Sequence, residues 1–86
     1  MYSVIVSRTF QKQFHSLQKQ LQNRIRSALK ELEINPNQSR SGADIKPLTS
    51  TKPQKHRLRV GEYRIIYMIE ENTVHVIEVF RRNRGY

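Results

Sequence analysis

The chain has 86 residues, which limits it to one small domain over residues 1–86. Its 16 Lys and Arg residues outnumber 7 Asp and Glu, and the net charge of +9 favours a nucleic acid, an anionic membrane or an acidic protein as partner. The chain has no cysteine, which excludes disulfides and thiolate zinc sites, and no apolar stretch long enough to span a membrane. Its first residues are typical of a strand rather than of a signal peptide, so we expect a cytoplasmic protein.

The first half of the chain predicts a strand followed by a helical region. Tyr2 to Ser7 is a β-branched run typical of a strand, and Thr9 is placed to cap the helix that follows. Apolar residues then recur at spacings of three and four, which indicates one helical stripe that ends at Asn35-Pro36. They are Phe10, Phe14, Leu17, Leu21, Ile25, Ala28, Leu29 and Leu32. The stripe permits either one long helix or a hairpin that turns around residues 17–21.

The second half of the chain predicts a loop followed by a three-stranded meander. Residues 38–53 are rich in Ser, Thr, Gly and Pro and are predicted to form a loop, with Ile45 and Leu48 packed on the core. Three strands are then predicted: Lys55–Val60, Glu62–Glu70 and Thr73–Arg81. Their connections are short enough for antiparallel hairpins. The order of elements predicts an α+β domain with the helices on one face of the sheet.

An arginine in the most apolar strand is the strongest indication of function. Arg64 lies within an apolar run from Val60 to Ile69, and a guanidinium is rarely buried without a partner. In the preceding strand, Lys55, Arg57 and Arg59 share one face because side chains alternate along a strand. This pattern predicts a site for a polyanion such as RNA, although charges on an edge strand can also serve only to discourage aggregation.

The residues that usually carry hydrolytic chemistry do not form a recognisable site. His15, His56 and His75 have no metal-ligand spacing, and a ribonuclease site built on His56 and His75 would require the two to meet. The carboxylates form no evident acid–base pair, and there is no glycine-rich phosphate loop. The sequence therefore predicts neither a metal nor another cofactor. Arginine, lysine and tyrosine can still promote RNA cleavage, because the ribose 2′-hydroxyl supplies the nucleophile from within the substrate.

Two stretches of the second half carry a family resemblance. The chain resembles the RelE/ParE toxin superfamily in Lys55-His-Arg-Leu-Arg-Val-Gly-Glu-Tyr-Arg-Ile-Ile-Tyr67 and in Val76-Ile-Glu-Val-Phe-Arg-Arg-Asn-Arg-Gly-Tyr86. The resemblance implies a RelE-like fold, in which an N-terminal strand and a two-helix hairpin precede an antiparallel β-meander packed by the helices on one face. For RelE-type toxins, the implied activity is ribosome-dependent cleavage of mRNA in the A site, which halts translation.

The resemblance also implies roles for individual residues. Arg64 matches the arginine that contacts the phosphate, Arg82 the arginine that assists the leaving group, and Tyr86 the terminal tyrosine that stacks on mRNA. Lys55 and Arg57 match a basic pair that stabilises charge and can include the general base. Further contacts with RNA are expected from Lys52, Arg59, Arg81 and Arg84.

Three functions stay open at this point. A RelE-type endoribonuclease implies the ribosome and mRNA as partners, together with a cognate acidic antitoxin that neutralises the basic surface. A ParE-type toxin would share the fold and the antitoxin but would inhibit DNA gyrase instead of cleaving RNA. A non-catalytic nucleic-acid-binding module would use the same cations only to follow a phosphate backbone.

Overall fold

The computed structural model of the chain describes residues 1–49 and 51–84, with only the backbone of Arg84. The elements in chain order are β1 (Ser3–Val6), α1 (Arg8–His15), α2 (Lys19–Ile34), β2 (Asp44–Leu48), β3 (Lys55–Val60), β4 (Tyr63–Glu70), β5 (Thr73–Arg81) and a 3-10 turn (Arg82–Arg84). The predicted α+β class is confirmed, with an N-terminal strand, two helices and a sheet. No helix in these described ranges is both long enough and apolar enough to cross a lipid bilayer.

Helix α1 begins two residues earlier than the sequence suggested. The Ser7 hydroxyl accepts a hydrogen bond from the backbone N–H of Phe10 at 2.9 Å, so Ser7 is the cap and the prediction of Thr9 was wrong. The same hydroxyl donates to the backbone carbonyl of Ile77 at 2.6 Å. Ser7 therefore satisfies the start of α1 and also ties it to β5.

The long apolar stripe is divided into a helical hairpin. The backbone leaves helical geometry after His15 and α2 begins at Lys19, which confirms a turn close to the predicted position. The side chain of Gln22 is buried and donates to the backbone carbonyls of Phe14 and Leu17, both at 3.0 Å. This amide satisfies carbonyls at the end of α1 and so stabilises the turn between the helices.

The five strands form one mixed sheet in the order β1-β5-β4-β3-β2. Strands β2 to β5 pair antiparallel, whereas β1 pairs parallel with β5. Strand β2 was not predicted, because Asp44–Leu48 lies inside the segment assigned to a loop. Only Ile45 of this strand is buried, and its Pro47 is tolerated because β2 is an edge strand.

The helices cover one face of the sheet and enclose the apolar core. Leu58, Ile65 and Val74 are 0% exposed on this face, opposite Ile25 and Leu32 of α2. Tyr67 is also fully buried, and its hydroxyl donates to the carbonyl of Pro36 at 2.7 Å. Burial raises the pKa of Tyr67, so its phenol stays protonated and remains a hydrogen-bond donor.

Candidate functional site

The face of the sheet turned away from the helices carries a concentration of cations. We call it the basic face and define it by residues that alternate with the core residues of three neighbouring strands. They are Lys46 of β2, Lys55, Arg57 and Arg59 of β3, and Arg64 of β4. Asp44 of β2 and Glu78 of β5 are its acidic members, and Ile66 and Phe80 form a buried apolar floor.

Strand register places arginine directly opposite arginine on this face. Arg59 pairs with Arg64 across β3 and β4, and Arg57 lies two residues from Arg59 on the same face. Like charges opposite one another destabilise a sheet, and this arrangement stabilises nothing on its own. The arrangement is therefore typical of a site that binds an anion.

The guanidinium groups of Arg57 and Arg64 lie deeper than surface arginines usually do. Arg57 has 14% of its side chain exposed, and its Nη2 lies 3.1 Å from Oδ1 of Asp44. Within the described residues, Nε of Arg57 and Nη1 of Arg64 are buried and have no hydrogen-bond partner. Buried donors of this kind are costly unless something accepts from them, and the oxygens of a phosphate would do so.

The pKa of Arg64 shows that several charges converge on it. Burial lowers this pKa, and the positive charges of Arg57, Arg59 and Arg82 lower it further, while the carboxylate of Asp44 raises it. A guanidinium remains protonated at any ordinary pH despite such a shift. Besides burial, the positive charges of Arg57, Arg59 and Arg82 therefore act on Arg64 together.

A cavity of about 370 Å³ opens at this point of the basic face. It is lined by Arg57 and Arg64 from the sheet and by residues of β2 and the segment after it, namely Lys46, Pro47, Leu48, Thr49 and Thr51. The Thr51 hydroxyl accepts from the backbone N–H of Lys55 at 3.0 Å, which fixes one wall of the cavity to β3. Its size and its cationic lining suit the phosphodiester group of a nucleotide.

The other predicted site residues within the described part of the chain occupy four different places. Lys55 lies on the basic face opposite Met68, and Arg82 begins the 3-10 turn, with its N–H donating to the carbonyl of Glu62 at 2.7 Å. Arg81 pairs with Tyr63 on the opposite face of the sheet, beside the turn between the helices. Lys52 is exposed in the connection between β2 and β3. Tyr86 and the side chain of Arg84 lie outside the described residues.

The histidines lie away from the group of arginines. His56 packs on the helix-covered face with its ring stacked on Tyr67 at 5.3 Å between centroids, and burial lowers its pKa. His75 lies on the basic face, where it pairs with Met68 and approaches Glu70 at 3.4 Å. His56 and His75 are therefore on different faces of the sheet and do not meet. Nδ1 of His15 forms a hydrogen bond with the backbone carbonyl of Gln11 within α1, at 2.7 Å. A ribonuclease site made of two histidines is therefore not formed.

Sequence reasoning missed Asp44 and Lys46 as members of the site. Both lie on β2, where Asp44 pairs with Arg59 and Lys46 with Arg57. The alternation of Asp44 and Lys46 around a buried Ile45 was the available signal, but a strand of five residues containing proline is easily read as a loop.

A basic, cavity-bearing sheet face backed by a helical hairpin defines the class of the protein, the RelE/ParE superfamily of toxins. Residues 4–86 match the family described as the ParE toxin of the type II toxin-antitoxin system parDE. The chain therefore belongs to this family of type II toxin-antitoxin toxins. Among curated protein sequences, none shows significant similarity to it.

Solved structures share the whole fold with this chain. A chain of the archaeal RelE–RelB complex from Pyrococcus horikoshii OT3 has 26% sequence identity and a TM-score of 0.82, with 98% of each chain covered. The RelBE2 toxin-antitoxin complex of Mycobacterium tuberculosis gives 25% identity and a TM-score of 0.77 over 94% of this chain and 98% of that one. The intact RelBE complex of E. coli, at 22% identity and a TM-score of 0.64, covers 94% and 96% and supports the fold alone.

Proposed function

We propose that this toxin is an endoribonuclease that cleaves mRNA in the A site of the ribosome and thereby halts translation. The observation that carries the proposal is the pair of buried donors on Arg57 and Arg64 beside a cationic cavity. Guanidinium groups held in this way are suited to a phosphodiester whose oxygens gain negative charge during the reaction. The chain is also similar to a chain of the RelE–RelB complex of Pyrococcus horikoshii, and the resemblance to RelE-type toxins implies this activity.

The reaction needs no nucleophile from the protein. The 2′-oxygen of the ribose attacks the adjacent phosphorus, the bond from phosphorus to the 5′-oxygen breaks, and the products are a 2′,3′-cyclic phosphate and a 5′-hydroxyl. In the proposed roles, Arg57 and Arg64 bind the phosphate oxygens, Lys55 adds positive charge that stabilises them, and water accepts the proton of the 2′-hydroxyl. Arg82 stabilises the leaving oxygen, which takes a proton from solvent, and Tyr86 stacks on a base.

Two kinds of partner follow from this proposal. The substrate is mRNA presented by the ribosome, and Lys52, Arg59, Arg81 and Arg84 are proposed to contact RNA. The second partner is a cognate acidic antitoxin, because structural neighbours of this chain are toxin-antitoxin complexes. A net charge of +9 makes a negatively charged protein segment the natural ligand for neutralising the basic face.

The test is to map mRNA ends in a translating extract, with and without ribosomes, after addition of the purified toxin. The wild-type protein should produce new ends only when ribosomes are present. Arg64→Ala should lower the cleavage rate about 100-fold or more, in the range found when a charge-stabilising donor is removed. Lys30→Ala, which removes an exposed cation of α2 far from the basic face, is the matched control and should cleave normally. Full activity in Arg64→Ala would contradict the proposed mechanism.

Inhibition of DNA gyrase is the second candidate, and the family match to ParE toxins favours it. This function predicts induction of DNA damage without mRNA cleavage, and toxicity that does not depend on Arg64 and Arg82. A supercoiling assay with purified gyrase separates the two candidates. Gyrase inhibition by wild type and by Arg64→Ala alike, with intact mRNA, would select this function over RNA cleavage.

A further inference from the structure

A second cationic cavity lies at the end of the sheet, where helix α2 passes the turn between β3 and β4. Its volume is about 500 Å³, and its lining includes Arg24 and Ser27 of α2, Arg40 of the connection before β2, and Arg59 of β3. The cavity is thus separate from the one between Arg57 and Arg64.

Two arginines of this second cavity meet at Gly61. Gly61 has a φ of +57°, and a Cβ added to it would lie 3.1 Å from Nη2 and 3.2 Å from Nη1 of Arg24. The guanidinium of Arg24 therefore packs directly over the turn. On the other side, Nε of Arg59 donates to the carbonyl of Gly61 at 3.4 Å. Because Gly61 has no side chain, Arg24 of α2 and Arg59 of β3 can both contact it.

The carboxylates that line the same cavity are already bound by other arginines. Glu31 accepts from Arg40 at 3.0 Å, and Asp44 accepts from Arg57 at 3.1 Å. Glu62 lies near Arg24 in an adjoining hollow, but no ion pair between them occurs in the described part of the chain. Within those residues, Arg24 and Arg59 also have no carboxylate within ion-pair distance. The cavity therefore has an excess of positive charge at Gly61.

We propose that Arg24 and Arg59 form a second phosphate-binding subsite, which holds the RNA backbone next to the nucleotide at Arg57 and Arg64. Arg59 is common to the two places, since it lines the second cavity and pairs with Arg64 across the strands. An RNA strand would leave the basic face, turn around the β3–β4 connection and continue toward α2. This inference rests on the proposed function, because it assumes that the substrate is RNA.

The test measures binding rather than cleavage. A fluorescent single-stranded hexanucleotide with 2′-O-methyl riboses cannot be cut, and its anisotropy gives the dissociation constant at several salt concentrations. We expect Arg24→Gln to weaken binding about three- to fivefold, as for one solvent-accessible ion pair. The slope of log affinity against log salt should fall by about 0.7, the value for one phosphate contact on a single strand. Lys30→Gln, on the same helix but outside the cavity, should change neither quantity.

A double-mutant cycle then assigns the subsite. If Arg24 and Arg59 hold one phosphate, the loss in the double variant should be smaller than the product of the single losses. Arg24 and Arg64 hold different phosphates, so their losses should multiply. An Arg24→Gln protein that binds as tightly as Lys30→Gln, or losses at Arg24 and Arg59 that simply multiply, would overturn the subsite. A wild-type protein that binds the probe but does not cleave mRNA would refute the proposed function and leave this subsite intact.

Discussion

The two faces of the sheet are built from the same strands but differ in chemistry, because one is mainly apolar and the other is cationic. On the helix-covered face, Leu58 and Ile65 are completely buried, and the polar group of Tyr67 has its acceptor at Pro36. On the basic face, Arg57 and Arg59 flank Leu58 and Arg64 precedes Ile65, and buried donors of Arg57 and Arg64 have no acceptor within the described residues. The hydroxyl of Tyr67 is thus satisfied within the protein, whereas the buried donors of Arg57 and Arg64 are suited to an anion from outside it. Core residues and the residues proposed to contact phosphate thus alternate along β3 and the start of β4.

The sharpest way to test this separation is to replace a buried arginine with an apolar residue. Arg57→Leu removes one of the converging charges and a donor without a partner, and the Asp44 carboxylate that it leaves behind is 52% exposed. We expect the cleavage rate to fall by about 100-fold or more, while the free energy of unfolding is unchanged or higher. mRNA end mapping and urea unfolding of the same preparation measure the two effects. A large loss of stability would show that Arg57 serves the fold.

The neighbouring residue on the other face should behave in the opposite way. Leu58 is 0% exposed in the core, so Leu58→Ala should lower the free energy of unfolding by about 2–5 kcal/mol. Arg59→Ala, one position further and exposed, should change it by no more than about 0.5 kcal/mol. Urea unfolding at fixed pH compares the pair. Equal destabilisation by both substitutions would contradict the division between the faces.

A smaller effect is expected where the helix-covered face contains a polar group. Tyr67→Phe removes the hydroxyl that donates to the Pro36 carbonyl at 2.7 Å and leaves that carbonyl without this donor. The expected loss is about 1–3 kcal/mol in the free energy of unfolding, with normal cleavage in the translating extract. Loss of cleavage with unchanged stability would mean that Tyr67 acts at the functional site.

The smallest effect concerns pH. Burial lowers the pKa of His56 below its ordinary value of 6.5. The unfolded chain therefore takes up a proton at higher pH than the folded protein does, so stability is fully present above pH 6.5 and decreases as the pH falls toward the folded pKa. His56→Phe, which can keep the stacking on Tyr67, should flatten this part of the stability curve. An unchanged slope in thermal unfolding between pH 7 and about pH 5 would exclude His56 as its source.

Much of the fold could be predicted because the strands alternate clearly. The strands Lys55–Val60 and Thr73–Arg81 begin and end where the sequence indicated, and alternation alone placed Arg57 and Arg59 on one face. Strand β2 was missed because its five residues do not form a clear strand pattern on their own. Their pairing with β3 is what makes them a strand. The Ser7 cap was missed because its hydroxyl is also fixed by Ile77, which is 70 residues away in the chain.

The functional site was predictable in its residue types more than in its arrangement. Arg64 pairs with Arg59 because the turn at Gly61 is short. A short hairpin turn fixes the register of its two strands, so this pairing could be predicted from the sequence. The participation of Asp44 depends on an unpredicted strand, and the approach of Arg24 to Gly61 depends on how a helix lies against a turn. Residue patterns do not predict contacts between elements that are distant in sequence.

The parallel pairing of β1 with β5 determines when the molecule can be assembled during synthesis. Ser3–Val6 is made first, yet its partner in the sheet is Thr73–Val76, and β5 also separates β1 from β4. The opening strand and the start of α1 therefore have no docking place until β5 has been translated. A nascent chain that has not yet released β5 from the exit tunnel cannot close this sheet, so the complete fold forms only after β5 has left the ribosome that makes it.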